Sequence, residues 1–220
     1  MKITILYDNE SEEKNLRPSW GFSCLVEKGK KRILFDTGGT GRILIHNMNQ
    51  LKIEPKSITG IFISHDHWDH KDGLPCFLNL LDKPIPVYVT ESMAERIRKE
   101  VGGSAEVVGI SDSKKLMEGF YSTGEMESSP PEQSLVVETE KGNIVICGCS
   151  HPGVDRILEK AKEFGKVYGV IGGFHGFKKF DKLKDLELIV PCHCTQFKKE
   201  IEELYPEKTK KGGVGRVFEI

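Results

Sequence analysis

A chain of 220 residues is long enough to bury a real core, as one large domain or two small ones. Its formal charge of −1 and charged fraction of 30% exclude a global field that would draw in nucleic acid or an anionic membrane, so neither is expected as a partner. No apolar run reaches the roughly 18 residues needed to span a bilayer.

The opening Met1 to Asp8 alternates like a strand and lacks the long apolar stretch of a secretion signal. The expected location is therefore the cytoplasm, with the six cysteines reduced. Ile3 to Tyr7 predicts a strand that ends in the turn residues Asp8 and Asn9. Ser23 to Glu27 and Arg32 to Phe35 read as a hairpin around Lys-Gly-Lys-Lys. Asp36-Thr37-Gly38-Gly39-Thr40-Gly41 then opens a helix in which Ile43, Leu44 and Met48 recur at helical spacing. Ile58 to Ser64 is a buried strand that runs directly into a histidine cluster.

Beyond it, Leu74 to Leu81 starts a helix that Pro84 ends; Val87 to Val89 is a strand and Glu91 to Val101 an amphipathic helix. Ser111 to Glu132, with Gly124, Pro130 and Pro131, reads as a long irregular connection lying over a site. Ser134 to Glu138 and Asn143 to Cys147 are strands, Val154 to Phe164 a helix, Val167 to Ile171 and Glu187 to Val190 strands, and Phe197 to Tyr205 a last helix. Strand-strand-helix-strand in both halves predicts an α/β (α+β) fold, a four-layer αββα sandwich with sheets face to face. The expected organisation is a single domain over 1–220, its halves at roughly 1–110 and 133–220.

The chemistry concentrates in Ser64-His65-Asp66-His67-Trp68-Asp69-His70. His65 and His67, two apart on an extended segment, point to the same side and can hold one metal ion together. Asp69 and His70 follow where a helix would begin and can turn towards a second ion. Imidazole with carboxylate suits zinc, iron or manganese. His151, His175 and His193 each stand just past an apolar strand, where such sheets collect ligand groups, whereas His46 sits inside a helix and reads as structural.

At these residues the sequence resembles the metallo-β-lactamase fold superfamily, with its His-x-His-x-Asp-His motif and isolated downstream histidines. The resemblance implies His65, His67 and His151 on one divalent ion, Asp69, His70 and His193 on a second, and Asp36 in Leu-Phe-Asp-Thr-Gly as a support to the ligands. Longer phrases (Gly-Phe-Ser-Cys-Leu-Val-Glu, Gly-Cys-Ser-His-Pro-Gly, Ile-Gly-Gly-Phe-His, Pro-Cys-His-Cys-Thr) are similar to the 7,8-dihydropterin-6-methyl-4-(β-D-ribofuranosyl)aminobenzene 5'-phosphate synthase family. That similarity implies a small-molecule substrate, phosphorylated or pterin-like. Many superfamily members carry a bridging Asp where this chain reads Gly172-Gly173-Phe174-His175. With no acid there, His175 is expected as a pocket or catalytic residue rather than a ligand, and Asp69 as the ligand that also acts in catalysis. Glu132-Gln133-Ser134, at the edge of the irregular connection, is expected to reach the pocket, with Gln133 touching substrate.

Two further patterns carry weaker signals. Cys147 and Cys149, and Cys192 and Cys194, form two Cys-x-Cys pairs, read as core packing, because flanking residues on an extended chain face away from His193. The Gly-Gly-Thr-Gly run reads as turn chemistry, with an anion cradle as the minority reading. The expected activity is a metal-dependent hydrolase or transferase with a pair of ions, zinc first. A hydrolase of phosphoesters, thioesters or lactones is the alternative, and a di-iron redox protein the second.

Overall fold

The computed structural model describes residues 1–220. Three antiparallel strands come first: β1 (Lys2–Tyr7), β2 (Ser23–Lys28) and β3 (Lys31–Phe35). Helix α1 (Gly41–Gln50) crosses to β4 (Gly60–Phe62), which pairs parallel with β3. Two short helices, α2 (Trp68–Lys71) and α3 (Leu74–Leu78), lead to β5 (Pro86–Thr90), and α4 (Glu91–Val101) leads to β6 (Glu106–Ile110). Both strands extend the sheet in parallel, so the carboxyl ends of β3 to β6 lie at one edge.

A second sheet is built from β7 (Lys114–Met117), β8 (Phe120–Ser122), β9 (Leu135–Val137), β10 (Asn143–Cys147), β11 (Val167–Gly173) and β12 (Leu188–Cys192). Helix α5 (Val154–Ala161) links β10 to its parallel neighbour β11, and α6 (Lys198–Leu204) follows β12. The last strand, β13 (Val217–Glu219), returns to the first sheet beside β1.

Strand alternation sorts the side chains into three apolar layers. Ile3, Ile5, Cys24, Val26 and Phe35 meet Leu135, Val137, Ile144, Ile146 and Ile171 between the sheets. Leu25, Leu34, Ile61 and Val87 face Leu44, Met48, Met93 and Ile97 of the outer helices. On the far side Val145, Val170 and Ile189 pack on Val154, Ile157, Leu158 and Ile201. The result is the expected helix–sheet–sheet–helix sandwich.

One expectation is corrected. Ser111 to Glu132 is not wholly an irregular connection, because β7 and β8 form a hairpin within it and β8 pairs with β9. Lys114 and Lys115 are exposed and only Phe120 and Ser122 of the hairpin are fully buried, as befits a sheet edge, so the stretch reads polar. Strands β6 and β13 are likewise additions to the elements read from the sequence.

Candidate metal centre

Asp8 follows β1, Asp36 follows β3, His65 stands three residues past β4, His151 follows β10 and His193 follows β12. Both sheets thus deliver polar groups to one end of the sandwich. The rings of His65, His67 and His151 lie 4.7 to 4.9 Å apart, centre to centre. His70 and His193 lie 5.0 Å apart, with Asp69 Oδ2 3.2 Å from His193 Nε2. These two groups touch through His65 and His70, whose rings are 4.2 Å apart.

Each outer imidazole is held through Nδ1 by a side-chain acceptor. His70 Nδ1 lies 2.7 Å from Asp36 Oδ2, His151 Nδ1 2.8 Å from Glu132 Oε2, and His193 Nδ1 3.0 Å from Asn9 Oδ1. A proton on Nδ1 in each case leaves the Nε2 lone pair free, the tautomer being read from these partners. Asp36 also accepts from the Ser64 N–H and hydroxyl at 2.7 and 2.8 Å. Glu132 is fully buried: its Oε1 accepts the N–H groups of Gly148, Cys149 and Ser150, and its Oε2 accepts that of His151. Asp8, at the end of the first strand, accepts the His193 N–H at 2.9 Å.

The electrostatics ask for positive charge. Burial pushes the His65 imidazole well below its usual value and lowers His70 to about 3, so both are neutral near pH 7. Burial opposes ionisation of Glu132, but the His65 and His151 contacts outweigh it and hold the carboxyl down at about 2. Burial likewise opposes ionisation of Asp69, yet its contacts with His193 and His70 keep it below the usual carboxylate range. Buried Asp36 is raised well above that range, with Glu132 and Asp69 adding to the effect. The ion-pair partners of these three carboxylates are all histidines, with no Lys or Arg among them. His193 Nε2 is buried without a hydrogen-bond partner, although Asp69 Oδ2 is close: the contact has the length but not the alignment of a hydrogen bond. Neutral imidazoles, the anionic carboxylates of Glu132 and Asp69, and an orphaned ring nitrogen fit divalent cations.

The cysteines divide in a way the sequence did not show. Cys147 and Cys192 are buried in the apolar layers, and burial pushes the Cys147 thiol up to about 12. Cys149 and Cys194 instead face each other, Sγ to Sγ at 3.3 Å, and Cys149 Sγ lies 3.2 Å from His70 Nε2. The expectation that Cys194 packs behind the site fails because His193 has φ +45°, which breaks the strand alternation and turns Cys194 back.

Gln133 is also corrected. It is fully buried, accepts from the Ser122 hydroxyl and donates to the carbonyls of Ile63 and Tyr88, so it pins strands together and presents nothing to a cavity. Its neighbour Glu132 is the residue at the site. His175 is exposed, its ring 5.6 Å from that of His151, at a cavity of about 320 Å³ that Ser150, Phe174 and Phe177 also line. His46 bonds the Asn15 carbonyl from α1, away from the cluster. The glycine run is explained by packing: a Cβ on Gly38 would meet the Tyr7 ring at 2.4 Å and one on Gly39 the Trp68 ring at 2.5 Å. That indole and Trp20, which rests edge-on against His193 at 5.0 Å, are each more than half exposed.

Comparison with known proteins gives concordant matches. The family model for the metallo-beta-lactamase superfamily matches residues 20–193. A 7,8-dihydropterin-6-methyl-4-(beta-D-ribofuranosyl)-aminobenzene-5'-phosphate synthase of Methanocaldococcus jannaschii is 32% identical over 88% of this chain and 87% of its own length. An uncharacterized protein of the same organism is 27% identical, over 99% and 100% of the two chains. The crystal structure of a metal-dependent hydrolase of the beta-lactamase superfamily superposes with a TM-score of 0.80 at 24% identity, covering 100% of this chain and 99% of that one.

Proposed function

This chain belongs to the metallo-β-lactamase superfamily, and from that premise we propose that it is a two-metal enzyme acting on a phosphorylated, pterin-like small molecule. The observation that carries the reading is the ring of donors with their Nδ1 atoms tied back and the orphaned Nε2 of His193. His65, His67 and His151 would hold one ion, and Asp69, His70 and His193 the other. Zinc suits this donor set, with iron and manganese as alternatives. Such ions supply Lewis acidity towards phosphate oxygens and neutralise charge on a departing group.

The chain's own residues do the rest. Asp36, Glu132 and Asn9 fix the three rings, so the site is set before substrate arrives. Trp20 and Trp68 offer exposed indoles at the mouth, and a flat heteroaromatic substrate stacks on such faces. Two indoles that keep more than half of their surface exposed favour a pterin over an aliphatic ester. His175 lies at the rim of the adjoining cavity, where it takes the proton released by the nucleophile. In the synthase reading the pterin methylene–oxygen bond breaks and its electron pair leaves with the phosphate. The new bond forms from an arylamine nitrogen, whose proton passes to His175 and then to solvent. In the hydrolase reading water replaces the amine.

The test is incubation of zinc-loaded protein with a phosphorylated 6-hydroxymethyl-dihydropterin, with and without a ribosylated aminobenzene. The coupled pterin–arylamine product supports the synthase, and hydroxymethylpterin plus phosphate alone supports the hydrolase. Absence of bound metal in wild type, or full activity in His65→Ala, overturns the two-metal reading. Trp20→Ala should raise KM for the pterin roughly tenfold with kcat little changed, the loss of about 1.4 kcal/mol of stacking.

A further inference from the structure

We propose that Cys149 is a thiolate ligand shared by the two metal positions, its sulfur lying between the two histidine groups. The inference rests on the two-metal reading and adds a donor to it. Cys149 Sγ belongs to two sets of donor atoms, one with His65 and His151, the other with His70 and His193; within each set all atoms lie within 4.8 Å of one another. Two donors on one tetrahedral zinc, at roughly 2.0 and 2.3 Å from it, sit about 3.5 Å apart. The 3.2 Å from Cys149 Sγ to His70 Nε2 has that span.

The local chain is shaped to bring the sulfur there. Glu132 Oε1 accepts the N–H groups of Gly148, Cys149 and Ser150, so Cys149 and His151 ride on one clamped loop. Gly148 lets that loop come close: a Cβ on it would stand 2.2 Å from Ser64 Oγ and 2.9 Å from His65 Nδ1. At the end of β11, a Cβ on Gly173 would meet Cys194 Sγ at 2.7 Å and the Gly148 carbonyl at 2.5 Å. A side chain at position 173 is therefore excluded, and the Cys194 sulfur lies where it would stand. Cys149 is only 4% exposed, which keeps the thiol from solvent while its Sγ faces four imidazoles. Cys194, with its sulfur 3.3 Å away, is a positioning residue that donates its S–H to the Cys149 sulfur. When a cation binds, the Cys149 proton leaves to solvent.

X-ray absorption at the zinc edge of the wild-type holoprotein, together with optical spectra of the Co²⁺ form, tests this. Two metals per chain, a sulfur shell at about 2.3 Å and a near-ultraviolet thiolate-to-cobalt band are expected. Cys149→Ser should abolish both sulfur signatures and weaken metal binding more than tenfold. Cys194→Ala should keep the sulfur signatures. Circular dichroism of each variant separates ligand loss from unfolding, and the wild-type spectra need no variant at all. Two metals bound with nitrogen and oxygen scatterers only would overturn the shared thiolate and leave the two-metal reading intact. A sulfur shell that survives Cys149→Ser would do the same. Wild type without metal would overturn both.

Discussion

His65, His67 and His151 come from two loops that one buried carboxylate ties together, whereas Asp69, His70 and His193 are gathered by separate holders. Glu132 alone fixes His151 and the four backbone N–H groups from Gly148 to His151. The second group depends on Asp36 for His70, and on Asp8 and Asn9 for His193, residues more than 180 positions away from it in sequence. The first group is thus a Glu132-clamped loop of the second sheet, carrying His151, laid against His65 and His67 of the first sheet. The second is a junction where the first strand, the third strand and the last strand of the second sheet meet. The contrast predicts that damage to the first group is global and damage to the second is local.

The largest effect follows from Glu132→Ala. It leaves four backbone donors and the His151 ring unpaired in a buried place, each costing about 1 to 3 kcal/mol before water enters. Several kcal/mol should be lost in denaturant unfolding of the metal-free protein. A loss under about 1 kcal/mol would show that the clamp is not what holds the loop.

Acid should separate the buried histidines from the Glu132 clamp next. His70 is lowered from 6.5 to about 3 in the fold, so between those values the unfolded chain binds a proton that the folded one does not. Stability of the metal-free protein therefore falls as the pH drops through that window. Glu132, lowered from 4.5 to about 2, contributes stability that is full above its unfolded pKa and lost from there downward. Thermal melts across pH should show the loss from the buried histidines, His65 as well as His70, beginning near pH 6.5 and the Glu132 clamp's loss only below about 4.5. Melts flat from pH 7 to 4 would contradict the neutral buried His70.

Asp36→Asn is expected to act more on the second position than on the first, because Asp36 holds His70 directly and His65 only through the Ser64 hydroxyl. On the two-metal reading, an amide keeps the shape but puts an NH2 in place of one acceptor oxygen, so the second metal should bind roughly 10 to 100-fold more weakly and the first be less affected. Stepwise removal by chelators of graded strength reads the two affinities. Equal weakening of both would erase the distinction between the groups.

The layered fold was legible because alternation is a local property: Ile3, Ile5, Cys24 and Val26 show in the sequence which face they bury. The motif His65 to His70 was legible for the same reason, its members being close in the chain. What was hidden depends on tertiary contact or on backbone handedness. Asp8 and Asn9 looked like turn residues because their partner, His193, is folded onto them from the far end. Glu132 and Gln133 were distinguishable only once the strand bridge between Glu132 and His65 set which of the two faces the site. The departure of Cys194 from the core side that Cys192 keeps hung on a single positive φ at His193, which no alternation rule can supply.

Asn9→Ala gives the smallest effect and the sharpest probe of the junction. The side chain accepts from His193 Nδ1 and donates to the His193 carbonyl at 2.9 Å, and it also receives the Gly21 N–H at 3.2 Å. The residue is half-exposed, so water can replace part of this, and the loss should be about 1 kcal/mol. The ring is then free to flip, and either nitrogen can face the site. Metal affinity at that position should fall about tenfold, less than for Asp36→Asn, because water can stand in for half-exposed Asn9 but not for fully buried Asp36. Trp20 reports the change directly, since it stands against His193 and its neighbour Gly21 loses an acceptor too. On the two-metal reading, metal titration of wild type should alter Trp20 emission at the second equivalent, and in the variant that change should move to higher metal concentration. If it stays in place, Asn9 does not orient His193, and the second group is held by the Asp8 contact to the backbone alone.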